Sequence, residues 1–504
     1  MVKVNVVLGA IQATGADTII VNLFKDAKPS GATGAVDEAL SGAITDLIEG
    51  GDFKGKSGDI AVLYPRGAIP AKRVLVVGLG KLDEFDIETV RTAAANAIRK
   101  AEALNATHVA TVLHGADGGE LEIEEVAQAI TESSLLALYK YQGQKTKNNS
   151  ESSVESLDLM ASDDTGLPTV SMGINTGIAI AEGTSITRDL VNLPPNICTP
   201  AYMASTAEKI ASESGLRVEV LEKKQMETLK MGALLGVAQG SETPPRFIIL
   251  EHNADKKGSL DTVVLVGKGV TFDTGGYSLK TKDGMVGMKS DMAGGGAVIG
   301  AMKAIAALDI PLHVVGLVPS ADNMVSGSSY RPQDVLTASN GVTIEIISTD
   351  AEGRLLLADA LVYAGRYKPS AVVDIATLTG ACMVALGAKS AGLFTTDDTL
   401  RDTLQAAGET TQERLWSLPL FPEFKDDLKS DTADTKNSGS RGGGASSAAI
   451  FLKHFVDYPA WAHIDMAGMS GNAGKKPYAP KEGASGFGVR LFVEFVRQWA
   501  KRSN

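Results

Sequence analysis

Only two cysteines occur in 504 residues, Cys198 and Cys382, and neither has a CxxC partner. A disulfide framework and a zinc knot are therefore excluded, and both thiols are expected to be buried and reduced. No stretch approaches the ~18 uninterrupted apolar residues that a membrane-spanning helix needs. Basic residues are outnumbered by acidic ones, 48 against 60, giving a formal net charge of -12. A uniformly acidic surface repels nucleic acid and anionic membranes, so neither is expected as the main partner. Proline is scarce at 18 while glycine reaches 54, with no Gly-X-Y period. That excludes collagen and points to many tight turns between short elements.

What is present is the composition of a soluble globular chain, 44% hydrophobic and 21% charged. Its length exceeds one ordinary core, so two or more domains are expected. The apolar start MVKVNVVLGAIQATGADTIIVNLF is interrupted by Asn5, Gln12 and Asp17. It suits two strands and a turn better than the apolar core of a signal peptide, and a cytoplasmic location follows as the expectation.

Hydrophobic periodicity over the first ~150 residues alternates strands with helices. DTIIVNLF, DIAVLYP, RVLVVGLG and HVATVLH read as strands, while VDEALSGAITDLIEG, DIETVRTAAANAIRKAEAL and EEVAQAITESSLLALYKY read as helices. The polar run QGQKTKNNSESSVESLD reads as a surface excursion near a domain boundary. A helix ending in TRDLVN then leads to the Pro-rich break NLPPNICTP. The expected organisation is α/β throughout: a smaller N-terminal domain at 1–165, a linker helix and break at 166–195, and a larger catalytic domain with a mixed central sheet at 196–504. In the latter, RFIILEH, TVVLVGKG, HVVGLVP, TIEIIST and AVVDIAT read as strands.

Residues 50–57, GGDFKGKS, fit the letters of a phosphate-binding P-loop. Such a loop must follow a strand and open a helix. Here a helix precedes it and a strand follows, so the nucleotide reading is rejected.

Three segments place charge where an apolar sheet should end. GKGVTFDTGGYSLK follows the strand TVVLV and carries Lys268, Asp273 and Lys280. In open α/β sheets ligands bind at that edge. MKSDMAGGGAV sets Asp291 beside a glycine run that permits close approach. STDAEGRL follows TIEII, and an extended chain would project Asp350, Glu352 and Arg354 to one side. Plainer readings exist for each: Thr349-x-x-Glu352 is also a capping box, Asp291 could cap a helix, and Lys268 could be a solvated strand-end charge. They leave Arg354 and the gathering of four carboxylates unexplained. Carboxylates converging out of water are costly unless protonated or bound to cations, and four suffice for a two-metal site with bridging ligands. No G-x-S-x-G elbow or H-E-x-x-H helix offers another chemistry, and the six histidines are scattered away from these segments.

At these residues the chain resembles the leucyl aminopeptidase (cytosol aminopeptidase) family, particularly its bacterial members. STDAEGRL is similar to the family's NTDAEGRL, with Ser348 in place of Asn, and the two other segments are similar to its remaining active-site blocks. The likeness continues through RDLVNLPPNICTP, RPQDV, DIATLTGA, ADTKNSGSRGGGASSAAIFLKHFV and WAHIDMAG, and GASGFGV stands where the family more often has GATGxGV. The resemblance implies an enzyme that hydrolyses the N-terminal residue, leucine or another apolar one, from peptides with a free N-terminus, through a water between two metals. It implies one metal position formed by Lys268, Asp273, Asp291 and Glu352, and a second by Asp273, Asp350 and Glu352. Asp291 would also hold the substrate amine, and Lys268 would need a depressed pKa to bind a metal.

By the same resemblance Lys280 and Arg354 are catalytic, Arg354 either touching the intermediate or holding a bicarbonate. Met288, Thr377, Leu378 and Gly380 would shape the pocket for the first side chain. Two divalent ions per subunit are implied, Mn²⁺ foremost, with Zn²⁺, Mg²⁺ or Co²⁺ as alternatives. A homohexamer is implied, and DNA binding as a secondary role. The rival readings are a different two-metal hydrolase, a DNA-binding relative and a catalytically dead one.

Overall fold

The computed structural model describes residues 2–115, 121–146, 152–161, 164–440, 442–471 and 476–503. The chain forms two compact units. One comprises Met1–Ala181 with Lys475–Pro480, the other Glu182–Gly474 with Lys481–Asn504. No helix among the described residues is long and apolar enough to cross a membrane.

The first unit is built on six strands, β1 (Lys3–Leu8), β2 (Thr18–Phe24), β3 (Ile60–Leu63), β4 (Arg73–Gly80), β5 (His108–Val112) and β6 (Ser156–Ala161). They lie in the order β1-β6-β5-β2-β4-β3, parallel except for the β3–β4 pair. Two sequence expectations need correction here. The polar excursion after residue 141 ends in a buried strand, β6, whose alternation of Leu157 and Leu159 was masked by the surrounding Ser, Glu and Asp residues. The single helix read over VDEALSGAITDLIEG is two helices, Gly31–Ala39 and Ala43–Glu49. Ser41 and Gly42 between them take positive φ, and the buried Asp37 carboxylate accepts the Ile44 and Thr45 N–H groups at 2.7 and 3.1 Å. An acid already bonded to the start of a second helix cannot sit in the middle of one continuous helix.

The GGDFKGKS stretch is a loop between the helix Ala43–Glu49 and β3, as its flanks imply. Gly55 has φ of 63°, and a Cβ there would stand 2.8 Å from the Phe24 carbonyl oxygen. Gly55 thus serves a close approach of two backbone segments. His114, just past β5, is fully buried, with Nδ1 3.4 Å from the Asn22 amide oxygen. Burial pushes its pKa down to about 4. The unfolded chain therefore takes up a proton near pH 6.5 that the folded chain refuses until about pH 4. Stability from this group is complete above pH 6.5 and is lost as pH falls toward 4, by about 3 kcal/mol at most. Urea unfolding at pH 7 and pH 4.5 should show a smaller acid-induced loss in His114→Gln than in the unsubstituted protein.

The second unit holds a mixed sheet. Its members are β7 (Arg217–Leu221), β8 (Arg246–His252), β9 (Thr262–Gly267), β10 (Gly269–Asp273), β11 (His313–Asn323), β14 (Ala371–Ala376), β15 (Ala391–Thr395), β16 (Leu415–Ser417) and β18 (Trp461–Asp465), in the order β16-β15-β18-β14-β9-β11-β8-β7, with β10 on β11. The central strands β18, β14, β9 and β11 are parallel, as is β10 with β11. Their ends therefore come to one edge. Near-continuous apolar runs in β9 and β14 are buried along their whole length, as strands covered on both faces must be. The expected strand TIEIIST is a correction: only Thr343–Glu345 (β13) pairs, in a separate three-stranded sheet with β12 (Val335–Thr337) and β17 (Thr435–Lys436). Cys198 and Cys382 are both buried free thiols.

Candidate metal centre and active site

The chain leaves β9 at Lys268, whose N–H bonds the Ile375 carbonyl at 3.1 Å and whose carbonyl takes the Gly295 N–H at 2.7 Å. Two glycines make this crowding feasible. A Cβ on Gly294 would lie 2.2 Å from the Ile375 oxygen, and one on Gly353 would lie 2.3 Å from Lys268 Cε. The Lys268 ammonium is thus led into the protein, only 3% exposed, and the reading of a solvated strand-end charge fails. Nζ reaches Asp291 and Glu352 at 2.8 Å each and the Thr377 carbonyl at 3.1 Å.

Asp273 ends β10. Its Oδ1 accepts the Gly275 N–H and the Asn323 amide, each at 2.8 Å, and its Oδ2 meets Lys280 Nζ at 2.8 Å. Lys280 also pairs with Asp350. Asp291 follows the 3₁₀ turn Met288–Ser290, and its Oδ1 accepts the Thr377 hydroxyl at 2.7 Å. Its backbone closes that turn, and it does not N-cap the helix Ala293–Ala307, where Met292 holds the position.

The 348–354 segment is not extended. Glu352 has helical φ and ψ and begins the helix Gly353–Ala364, so the period-two arrangement of Asp350, Glu352 and Arg354 does not form. The capping box does not form either. Thr349 Oγ1 donates to the Gly275 carbonyl at 2.6 Å and accepts the Ser278 N–H at 2.7 Å. A turn brings the two acids together instead: Asp273, Asp350 and Glu352 offer oxygens within 4.8 Å of one another.

Four carboxylates thus face two ammonium groups. Burial is the largest influence on Asp273, Asp291 and Asp350 and raises all three above the ordinary carboxylate range, with neighbouring acids pushing the same way against Lys268 and Lys280. Burial alone would pull the Lys268 ammonium down, but Asp291, Glu352 and Asp273 outweigh it and hold it above its usual value. The depressed Lys268 expected for metal binding has the opposite sign, and only an added cation beside it could supply that depression. Glu352 Oε2 is buried with no hydrogen-bond donor. A dense, under-neutralised set of oxygens with an orphaned carboxylate oxygen fits divalent cations.

Arg354 stands one step away. It is buried, pushed down to about 10 by desolvation, and its Nη1 donates to the Asn437 carbonyl at 2.7 Å while Nε has no partner. Met288 accepts the Asp291 N–H at 3.2 Å through its carbonyl, while Leu378 and Gly380 follow Thr377 in the chain. Leu378 packs on the apolar core, and a Cβ added to Gly380 would meet nothing within 4 Å.

Residues beyond those singled out in the sequence complete the site. Asn323, at the end of β11, holds both Asp273 and the Thr349 carbonyl; the strand-end rule applied to HVVGLVPSADN would have found it. Tyr330 donates to the same Thr349 carbonyl at 2.8 Å. Asn437 accepts the Ile347 N–H at 2.8 Å and donates to the Ser348 carbonyl at 2.7 Å, clamping the loop that carries Asp350. Ser348, the departure from the family's Asn, accepts the Asp350 N–H through Oγ at 3.3 Å.

Comparison with known proteins agrees over nearly the whole chain. Residues 185–493 match the cytosol aminopeptidase family catalytic domain, and residues 20–148 match that family's N-terminal domain. A protein of Alkaliphilus oremlandii named "Probable cytosol aminopeptidase" is 42% identical over 99% of this chain and 100% of its own length. One of the same name from Roseiflexus castenholzii is 44% identical over 99% and 100%. Among solved structures, a tomato leucine aminopeptidase variant superposes with a TM-score of 0.87 at 34% identity, covering 99% of this chain and 97% of its own. The bottromycin maturation enzyme BotP in complex with Mn does so with 0.84 at 35% identity, covering 96% and 100%. The chain belongs to the cytosol aminopeptidase family.

Proposed function

We propose that this protein is a two-metal aminopeptidase that removes leucine or another apolar residue from the free N-terminus of peptides. The observation that carries the reading is the buried, cation-deficient network at the strand ends, with Lys280 inside it and Arg354 beside it. Lys268, Asp273, Asp291 and Glu352 would hold one divalent ion, and Asp273, Asp350 and Glu352 the other. When bound, such ions polarise a carbonyl and lower the pKa of a water, which supplies the nucleophile at neutral pH. The neighbouring structure solved with Mn supports Mn²⁺ as the ion.

The chain's own groups do the rest. Asp291, anchored by Thr377, presents a carboxylate to the substrate's α-ammonium, which confines cleavage to the first peptide bond. The Lys280 ammonium stabilises negative charge as it develops on the carbonyl oxygen. Arg354 has a buried guanidinium with Nε unused, suited to gripping a planar oxyanion such as bicarbonate that can take up a proton. Met288, Thr377, Leu378 and Gly380 line the space for the first side chain, and an apolar wall favours leucine.

The test compares a leucine anilide with its N-acetylated form, before and after chelation and Mn²⁺ return. Metal-dependent cleavage of the free amine alone is expected. Equal cleavage of both substrates, or none with any divalent metal, would overturn the reading.

A further inference from the structure

The backbone of Thr377–Gly380 carries three of the groups assigned to the first-residue pocket, yet it has no strand partner. β14 ends at Ala376, and the helix Gly380–Leu386 begins four residues later. The helix packs on a small cluster through Cys382, Ala381 and Leu386, which leaves the N–H groups of the preceding segment unaccounted for. Of its residues only Cys382 is buried, while Met383 and Val384 are exposed. The N–H groups of the segment must find acceptors elsewhere.

Asp465 provides them. It is the last residue of β18 and the register partner of Ala376, and it is 1% exposed. Its Oδ1 accepts the N–H groups of Leu378 at 3.2 Å, Thr379 at 3.4 Å and Ala467 at 3.2 Å. Its Oδ2 accepts the Thr379 hydroxyl at 2.6 Å. Thr379 Oγ1 in turn accepts the Cys382 N–H at 3.0 Å, capping the helix, and the Cys382 thiol donates back to the Asp465 carbonyl at 3.5 Å. On its other side the segment is tied to the metal network, Thr377 bonding Asp291 through its hydroxyl and Lys268 through its carbonyl. The pocket wall is therefore strung between two buried carboxylates. One belongs to the metal network, and the other belongs to Asp465, which accepts hydrogen bonds from Leu378, Thr379, Cys382 and Ala467.

We propose that Asp465 is a positioning residue that sets first-residue specificity, fixing the depth and wall of the pocket through Leu378 and Thr379. This rests on the aminopeptidase reading. A carboxylate suits the task because four donors converge on one group, which a neutral amide oxygen cannot serve equally. Its charge also reaches Arg354, since Asp465 favours the charged guanidinium against the burial that opposes it.

The experiment measures kcat and KM on leucine and alanine anilides, together with metal content and thermal unfolding, for the Mn²⁺-loaded protein and three variants. Asp465→Asn keeps the size but gives up one acceptor oxygen. Thr379→Val removes both hydroxyl bonds, and Thr379→Ser retains them. Asp465→Asn should lower the leucine-to-alanine ratio of kcat/KM by about tenfold, chiefly through KM for leucine, with metal content unchanged. Thr379→Val should move the ratio the same way and Thr379→Ser should restore it. A folded, metal-loaded Asp465→Asn protein that keeps the original ratio overturns the proposal, even if its melting temperature falls. If Asp465→Asn does not fold, the two Thr379 variants decide: equal ratios in Val and Ser overturn it. An unsubstituted protein that cleaves neither anilide refutes the aminopeptidase reading itself, and this inference with it.

Discussion

Glu352→Gln should lower turnover of a leucine anilide by on the order of 10³-fold or more if Glu352 is the shared ligand proposed above, since its loss would cost several kcal/mol of charge stabilisation in the transition state. The substitution preserves shape. The amide oxygen can still accept from Lys268, now 2.8 Å from Oε1, so the fold is not asked to bury an empty space. What disappears is one negative charge and the buried Oε2 that has no donor. Metal content should fall below two ions per chain. Thermal stabilisation by added Mn²⁺, about 2.7 kcal/mol when the ion is at 100 times its dissociation constant, should shrink accordingly. Metal analysis, unfolding with and without Mn²⁺, and kcat on one preparation check all three. Undiminished turnover at full metal loading would show that the carboxylate network serves folding and not catalysis.

Lys280→Met should lower kcat by about 10²- to 10³-fold, the usual cost of losing one preorganised donor to a developing oxyanion. Here the metal response should run the other way. Lys280 pairs with Asp273 and Asp350, two of the expected ligands. Removing the ammonium leaves those acids more negative, so Mn²⁺ should bind at least as tightly as before. KM should change little if the bond to Lys280 strengthens only as charge develops. The pattern separates two roles. If Lys280 merely neutralised the acids, its loss would be made good by the metal, kcat would stay within a few fold, and the catalytic assignment would be wrong.

The fold was readable wherever one periodicity dominated. The buried runs of β9 and β14 announce a sheet covered on both faces, and Thr199 before Pro200 marks a helix start that the structure keeps, with the Thr199 side chain accepting the Tyr202 N–H at 3.3 Å. It was unreadable where a tertiary bond overrode the pattern. Asp37 reaches seven residues forward to the Ile44 N–H and divides a continuous apolar stripe. The site followed the same rule. The residue types were visible at the strand ends, whereas their geometry was not. Glu352 joins Asp273 and Asp350 because the chain turns into a helix there, not because it stays extended. Asn323 was within reach of the strand-end rule, whereas Asn437 and Asp465 escaped notice because an amide and a lone acid carry no sign of the backbone groups they hold, Ser348 and Leu378, some ninety residues away.

Gly294 and Gly353 are walled in by the backbone and by the lysine they admit, so almost any replacement there collides with the centre. Gly380, in the wall proposed for the first-residue pocket, is their opposite, exposed and facing open space. A lineage, or an engineer, can change that position without first repairing the fold. New substrate preferences should therefore be reached through Gly380 in single steps, while the inherited chemistry stays fixed beneath it.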